Sequence, residues 1–218
     1  MAKKKNNYYN SSMYDEAIRS IRTNIQFSGV DKKNRIISIT STKPAEGKST
    51  VIYNLAKSFA ENGDRAILLD CDLRSPSLGQ IVGIEDNIGV TNYLTGKVEL
   101  SRIIYESTDI NNFDLILTGP VPPNPSEMLA SAAFKKLIDY LSDEYDYVFI
   151  DTPPVGLFTD ASIISALSDG IIFAIKSNDT KREDISSALD NLKKVDANIL
   201  GTVLTHVPMK KKKYGNYY

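Results

Sequence analysis

Six short runs of β-branched and other apolar residues, separated by longer segments of helical periodicity, constrain the fold more than any other feature of this chain. The runs begin at Arg35, Arg65, Phe113, Tyr145, Gly170 and Ala197. Several are almost continuously apolar, which is typical of strands covered on both faces of a parallel sheet. Helical patterns lie at about 49–62, 126–142, 160–167 and 181–194. This alternation predicts an α/β fold with a doubly wound, mostly parallel sheet flanked by helices.

Two of these helices have marked beginnings. Thr180 and Glu183 have the spacing of a capping box, and Asn124, Pro125 and Glu127 supply a cap, a first-turn proline and a first-turn acid in that order. We therefore expect helices to start next to Thr180 and Asn124.

The composition favours one domain between two polar tails. The 218 residues are 42% hydrophobic, which is enough for one sizeable core. We expect a flexible basic tail at 1–12, one domain at 13–208, and a flexible tail rich in lysine and tyrosine at 209–218. The net charge of -1 gives no reason to expect a nucleic-acid partner.

The sequence also bears on the cellular compartment. Cys71 is the single cysteine, so an intrachain disulfide is impossible and a reducing cytoplasm fits. No apolar run approaches the roughly 20 residues that cross a bilayer. We therefore expect any membrane role to come through a partner.

The segment STKPAEGKST, from Ser41 to Thr50, joins the first predicted strand to the first predicted helix. Gly47 allows the backbone to approach closely, Lys48 places a charge on terminal phosphates, and Ser49 offers a hydroxyl to Mg²⁺. Thr42 stands where the standard spacing has glycine. The segment still predicts a nucleotide-phosphate loop. Its candidate contacts are Lys43, Pro44, Ala45, Glu46, Gly47, Lys48, Ser49 and Thr50.

Two more predicted strands end in carboxylates. In ILLDCDLR, Asp70 and Asp72 alternate along the chain, so both are expected on one face at the carboxyl edge of the sheet. In YVFIDTPP, Asp151 ends a strand in the same way. Such acids can hold Mg²⁺, together with Ser49, and accept the proton of an attacking hydroxyl. Lys48, Asp70 and Asp72 are the candidate catalytic residues.

Two further charged residues follow these strands. Arg74 is a candidate for sensing or balancing phosphate charge. Asp160 is at least as well explained as the N-cap of a helix as by any catalytic role.

The segment EAIRSIRTNIQF predicts an amphipathic helix with Glu16, Arg19 and Arg22 on its polar side. Ion pairing within the helix explains this pattern, at a few tenths of a kcal/mol. Contact with a neighbouring subunit explains it equally well, and periodicity does not decide between them.

Taken together, these motifs resemble the bacterial tyrosine kinases of capsule and exopolysaccharide synthesis, in the form whose cytoplasmic kinase is separate from its membrane activator. In that family KPAEGKST is similar to the modified Walker A motif, ILLDCDLR to Walker A′ and VFIDTPP to Walker B. PPNPSEML, from Pro122, also resembles a segment found in that family. The arginine helix resembles the ring-forming motif, and Tyr214, Tyr217 and Tyr218 resemble the tyrosine cluster.

The resemblance implies an ATP- and Mg²⁺-dependent protein-tyrosine kinase with a sheet of the P-loop NTPase type. It implies that Tyr214, Tyr217 and Tyr218 are phosphoacceptors and that Glu16, Arg19 and Arg22 serve oligomerisation. The implied partners are a membrane-anchored polysaccharide co-polymerase that activates the kinase, further copies of the chain in a ring, a protein-tyrosine phosphatase, and sugar-nucleotide enzymes as substrates. The implied location is the cytoplasm, at the inner face of the plasma membrane.

A partition-type ATPase that switches partners without kinase activity is the main alternative. Lys43 stands five residues before Lys48, where that class carries a lysine that reaches across a dimer. The paired glycines usual in that class are missing, and its members have no reason to carry a tyrosine tail. A scaffold that binds nucleotide without catalysis is a more distant alternative.

Overall fold

The computed structural model describes residues 2–29 and 33–208, with side chains from Ser12 onward. Within these ranges the strands are β1 Ile36–Ser41, β2 Ala66–Asp70, β3 Ile104–Glu106, β4 Phe113–Ile116, β5 Tyr147–Asp151, β6 Gly170–Lys176 and β7 Ile199–Thr205. The helices are α1 Ala2–Ser28, α2 Lys48–Glu61, α3 Leu78–Val82, α4 Val90–Leu94, α5 Pro125–Leu129, α6 Ala132–Glu144, α7 Asp160–Ser165 and α8 Arg182–Lys193, with a 3₁₀ turn at Leu100–Arg102.

The strands form one sheet in the order β3-β4-β2-β5-β1-β6-β7. Only the β3–β4 pair is antiparallel, and the other strand pairs are parallel. The order places β5 between β1 and β2, so the phosphate loop and the strands ending in Asp70 and Asp151 share one edge. The predicted doubly wound, mostly parallel α/β sheet is confirmed.

Helices cover both faces of the sheet because the central strands are apolar on both sides. In β2, Leu68 belongs to the cluster that packs with α2, whereas Ile67 and Leu69 belong to the cluster that packs with α6. A smaller cluster joins β6 to α8. This three-layer arrangement leaves the carboxyl edge of the sheet for the site.

All six predicted strands are present, and the structure contains further elements that the sequence pattern does not predict. These are β3, α3 and α4, all between β2 and β4. The helix predicted at 126–142 is two helices, because α5 ends at Leu129 and Ser131 caps α6. The Ser131 side chain accepts a hydrogen bond from the backbone N–H of Phe134, 3.1 Å away.

The predicted capping box at Thr180 and Glu183 is wrong. The residue before α8 is Lys181, and the Thr180 hydroxyl donates to Glu46 in the phosphate loop. Asn124 does precede α5, with Pro125 in its first turn, but the Asn124 side chain contacts Glu127 at 3.2 Å. A tertiary contact has therefore replaced the local cap at Thr180.

Helix α1 begins at Ala2 and thus includes residues 2–12, for which the sequence predicted a flexible tail. Ile18 and Ile25 are buried and belong to the core cluster that contains the apolar face of α2. The second predicted tail, 209–218, lies outside the described residues. In the described part of the chain, no helix is long and apolar enough to cross a bilayer.

Candidate active site

The site lies where β1, β2 and β5 end side by side. Asp70 and Asp151 are direct partners in the β2–β5 pairing, so their positions on the two strands are adjacent. Lys48 begins α2 immediately after the loop from β1 and is 6% exposed. The strand order therefore brings three charged residues from distant parts of the sequence to one edge.

The phosphate loop has two left-handed residues. Ala45 has a φ of 58° and Gly47 has a φ of 83°. Alternating backbone conformations of this kind turn successive N–H groups toward one side, which makes a concave anion site. Gly47 also precedes the 14-residue helix α2, whose first N–H groups have no partner within the helix. The loop therefore has the backbone that a phosphate group needs, although Thr42 replaces the usual glycine.

A side chain at Gly47 would be crowded as well as strained. A Cβ atom there would lie 3.3 Å from Cγ2 of Thr205 and 3.5 Å from Cε1 of His206. The end of β7 thus packs closely against the phosphate loop. Motif spacing gives no indication that Thr205 belongs to the site.

Asp151 is the buried acid at the centre of the site. It is 0% exposed, and neither carboxylate oxygen makes a hydrogen bond of standard geometry with the described residues, although the Ser49 hydroxyl is near enough to lower its pKa. Burial, followed by the charge of Asp70, raises its pKa to about 7. An unpartnered buried carboxylate costs free energy, and a bound cation would offset that cost.

The acids and Ser49 provide the oxygen ligands that Mg²⁺ prefers, so the residues fit that ion. In the part of the chain that the structure describes, no three histidine, cysteine, aspartate or glutamate side chains are grouped to hold a metal by themselves. Mg²⁺ bound with few carboxylates usually keeps several waters and takes further oxygens from substrate phosphates.

Asp70 and Asp72 differ in their contacts. Asp70 accepts the N–H of Asp72 on Oδ1, at 3.2 Å, and the N–H of Leu78 on Oδ2, at 3.1 Å. Asp72 accepts the N–H of Ser75 on Oδ1, at 3.0 Å. Burial raises the pKa of Asp70 to about 6, and burial also raises the pKa of Asp72. Both oxygens of Asp70 therefore help to shape the loop that follows β2.

The Arg74 side chain makes its contacts with other residues of the same chain. Its guanidinium donates to Asp160 through Nε at 2.7 Å and Nη2 at 3.1 Å, and Nη2 also lies 3.1 Å from the Ser126 hydroxyl. The guanidinium carbon lies 4.2 Å from the centre of the Phe158 ring. Asp160 is fully buried, and the residue before α7 is Thr159. Arg74 thus joins the loop after β2 to the first turns of α5 and α7, and the N-cap expected at Asp160 is wrong.

Lys43 is also paired within the chain. Its Nζ lies 2.8 Å from Oδ2 of Asp179, in the loop between β6 and α8, and this contact raises the pKa of Lys43. In the conformation described, the lysine that would distinguish a partition-type ATPase is directed at its own subunit.

Comparisons with known proteins show which family the chain belongs to. A family model described as an AAA domain matches residues 34–204. The tyrosine-protein kinase CpsD of Streptococcus agalactiae is 38% identical over 204 residues, which are 93% of this chain and 88% of that protein. The tyrosine-protein kinase YwqD of Bacillus subtilis is 35% identical over 207 residues, 95% of this chain and 87% of that protein. The chain belongs to the bacterial tyrosine kinase family.

Solved structures support the same assignment. The chimerical protein CapA2B2 has a TM-score of 0.86 at 35% identity, over 89% of this chain and 85% of that one. The kinase domain of the Escherichia coli tyrosine kinase ETK has a TM-score of 0.83 at 29% identity, over 93% and 80%. The expectation of a protein-tyrosine kinase on a P-loop NTPase fold is thereby confirmed.

A septum-site-determining protein shares the fold to a smaller extent. The protein MinD of Pyrococcus horikoshii, complexed with Mg-ADP, has a TM-score of 0.65 at 28% identity, over 78% of this chain and 69% of that one. This chain and that septum-site-determining protein thus have similar folds.

In this member of the bacterial tyrosine kinase family, the three residues of the predicted oligomerisation motif have different surroundings. Glu16 and Arg19 are exposed and form an ion pair of 3.1 Å with each other. Arg22 instead donates to the backbone oxygen and the hydroxyl of Ser58 near the end of α2, the latter at 3.1 Å. The predicted phosphoacceptors Tyr214, Tyr217 and Tyr218 lie outside the described residues.

The structure also brings in residues that motif spacing does not indicate. The Ser77 hydroxyl lies 2.8 Å from the Ser49 hydroxyl, so it borders the predicted Mg²⁺ ligand. Thr180 and Thr205 contact Glu46 of the phosphate loop. Serine and threonine are common in loops, so no sequence signal separates these residues from their neighbours.

Proposed function

We propose that this kinase transfers the γ-phosphoryl group of ATP to tyrosine hydroxyls, and that Tyr214, Tyr217 and Tyr218 of a neighbouring copy are its first acceptors. The observation that carries the proposal is the buried Asp151 carboxylate, which has no hydrogen bond of standard geometry and lies beside Asp70 at the carboxyl edge of the sheet, next to the phosphate loop. A family of tyrosine-protein kinases supplies the reaction class.

The residues have separate tasks in this proposal. The backbone from Lys43 to Thr50 binds the phosphates, and Lys48 balances their charge. Ser49, Asp70 and Asp151 would hold Mg²⁺, which when bound stabilises the negative charge that develops on the phosphate oxygens, and Asp72 is left for proton transfer. Positioning and charge stabilisation are the main requirements of phosphoryl transfer.

A carboxylate must accept the proton of the phenol, because a tyrosine with a pKa near 10 is a weak nucleophile at neutral pH. Asp70 and Asp72 both suit this step by residue type. We assign it to Asp72, because both oxygens of Asp70 accept backbone N–H groups. As the proton moves to Asp72, the phenol oxygen bonds to the γ-phosphorus, and the bond from that phosphorus to the ADP oxygen breaks.

The tail can serve as a substrate between subunits. The segment after Pro208 can extend roughly 30 Å, a length that would carry a tyrosine into a neighbouring site if the subunits form a ring. Glu16 and Arg19 are exposed and thus available for the ring contact. Each phosphotyrosine adds a charge of about -1.5 to -2, so a multiply phosphorylated tail near acidic residues should loosen the ring. A fully phosphorylated sample that stays oligomeric in light scattering would contradict this cycle.

We further propose how the kinase is recruited, activated and reset in the cell. A membrane-anchored polysaccharide co-polymerase would recruit the cytoplasmic kinase to the inner face of the plasma membrane and activate it, and a protein-tyrosine phosphatase would reset the tail. Through this cycle, and through substrates such as sugar-nucleotide enzymes, the kinase would regulate the synthesis and export of capsular polysaccharide.

The test is incubation of the full chain with Mg-ATP and the cytoplasmic segment of the activator, followed by mass spectrometry of intact protein and peptides. We expect phosphate on the tail of the wild type and none after Lys48→Met. Truncation after Met209, or phenylalanine at Tyr214, Tyr217 and Tyr218 together, should remove most of the label. Tyr140→Phe, at an exposed tyrosine in α6, is the matched control and should change nothing.

The partition-type ATPase is the second candidate, and the related fold of MinD favours it. The missing paired glycines argue against it; Lys43 pairs with Asp179 of its own subunit, but that pair is exposed and therefore weak, so it does not decide between the two candidates. Steady ATP hydrolysis without phosphate on any tyrosine, in the presence of the activator segment, would select this candidate instead. Neither activity would select the non-catalytic scaffold.

A further inference from the structure

Glu46 carries a fully buried carboxylate in the middle of the phosphate loop. Its Oε2 accepts the backbone N–H of Thr42 at 2.8 Å and that of Lys43 at 3.1 Å, and its Oε1 accepts the hydroxyl of Thr180. Hydrogen bonds to a carboxylate are among the stronger ones in proteins, and they make its burial possible. The side chain therefore closes the loop on itself across positions 42–46.

The loop needs such a contact because its backbone is disfavoured. Ala45 has a φ of 58°, a conformation that a residue with a Cβ adopts reluctantly. Conformations of this kind persist where surrounding contacts fix them. Ala45 lies between Lys43, whose N–H binds the carboxylate, and Glu46, which carries it. The ring of hydrogen bonds thus encloses the strained residue.

Glu46 also ties the loop to two other elements. The Thr180 hydroxyl comes from the segment between β6 and α8, and the Thr205 hydroxyl at the end of β7 donates to the backbone oxygen of Glu46 at 2.7 Å. A second link between the same two loops, from Lys43 to Asp179, is exposed, with 38% and 43% of the two side chains accessible. Exposed ion pairs contribute little, so the buried link is the one that should matter.

We propose that Glu46 is a positioning residue whose carboxylate holds the phosphate loop in its anion-binding conformation and, through Thr180, makes nucleotide affinity depend on the segment between β6 and α8. The carboxylate acts through the backbone of Thr42 and Lys43 and need not touch the nucleotide. This inference rests on the proposed binding of nucleotide at the loop and adds the device that shapes it.

The experiment measures the dissociation constant of a fluorescent N-methylanthraniloyl ADP with Mg²⁺ on the full chain. Glu46→Ala should weaken binding about tenfold or more, because it removes charge-assisted hydrogen bonds at the loop. Glu46→Gln keeps an acceptor oxygen for both N–H groups and should stay within about threefold. Thr180→Val, which keeps the shape of the side chain, should weaken binding about threefold to tenfold.

Two further variants separate this role from a general structural one. Asp179→Asn breaks the exposed link and should stay within about twofold of the wild type. Thr180→Val should have no further effect in a Glu46→Ala background, because the hydroxyl acts through that carboxylate. Circular dichroism establishes which variants are folded.

The outcomes are distinct. Equal affinities of Glu46→Ala and wild type, or an unaltered affinity of Thr180→Val, would overturn the positioning role. If Glu46→Ala does not fold, the affinity of Thr180→Val is the test, measured both alone and in a Glu46→Gln background. An unaltered affinity in Thr180→Val alone would again overturn the positioning role. A wild type that fails to bind the ADP analogue would instead refute the proposed function.

Discussion

Arg74→Ala would remove the guanidinium that faces the Asp160 carboxylate. The two side chains share contacts of 2.7 and 3.1 Å, and Asp160 is fully buried. After the substitution, this carboxylate keeps the Ser126 hydroxyl as a donor but loses its positive partner. We therefore expect both stability and catalysis to suffer, because the loop that carries Asp72 is anchored through Arg74.

The size of the effect follows from the surroundings of the pair. Removing one partner of a buried ion pair costs about 3–5 kcal/mol. The Arg74 side chain is 31% exposed, so water already screens part of the interaction. The remaining hydrogen bond from Ser126 reduces the cost further. We expect the free energy of unfolding to fall by about 2 kcal/mol, which for a chain of this size lowers the melting temperature by about 4–8 °C.

The assay is urea and thermal unfolding followed by circular dichroism at pH 7.5. Lys193→Met is the control, because it breaks an ion pair with Asp190 whose side chains are 68% and 55% exposed, and it should cost less than about 0.5 kcal/mol. Arg74→Met combined with Asp160→Asn should cost less than Arg74→Ala, because no charge is left buried. If Arg74→Ala unfolds at the same urea concentration as the control, the argument from the buried charge is wrong.

Three other perturbations test the site and its supports. Burial raises the pKa of Asp151 to about 7, well above the value near 3.9 that this side chain has in an unfolded chain. The folded state therefore binds more protons than the unfolded state between pH 4 and 7, and the free energy of unfolding falls as pH rises through that window. In EDTA, Asp151→Asn should therefore melt above the wild type at pH 8 and show no gain at pH 4; a gain of equal size at both would refute this. Arg22→Ala should lower the free energy of unfolding by about 1–2 kcal/mol, because the hydrogen bonds to Ser58 are lost. Arg19→Ala should change the free energy of unfolding by less than about 0.5 kcal/mol, and should instead reduce the oligomer size measured by light scattering. Gly47→Ala should weaken ADP binding about tenfold, because φ is 83° and the new Cβ would crowd Thr205; calorimetry showing unaltered affinity would contradict it.

The fold and the chemical residues of the site were accessible from the sequence where the signal is local. Strands covered on both faces are continuous apolar runs, and the acids at their ends follow directly in the chain, as at Asp70 and Asp151. The short edge strand Ile104–Glu106 was missed, because three residues carry no periodicity. The capping box at Thr180 was misread, because its hydroxyl binds Glu46, 134 residues away in the sequence.

By itself the sequence determined the sheet, the phosphate loop and the residue types at its edge, because each depends on residues close together in the chain: continuous apolar runs for the buried strands, helical periodicity between them, and polar residues directly after each strand. Only the tertiary structure decided which partner each charge has: Asp160 for Arg74, Asp179 for Lys43, and Ser58 for Arg22. The physical reason is that a charged side chain takes whatever opposite charge or hydrogen-bond acceptor the packing of distant elements brings within about 3 Å, and no spacing rule encodes that distance.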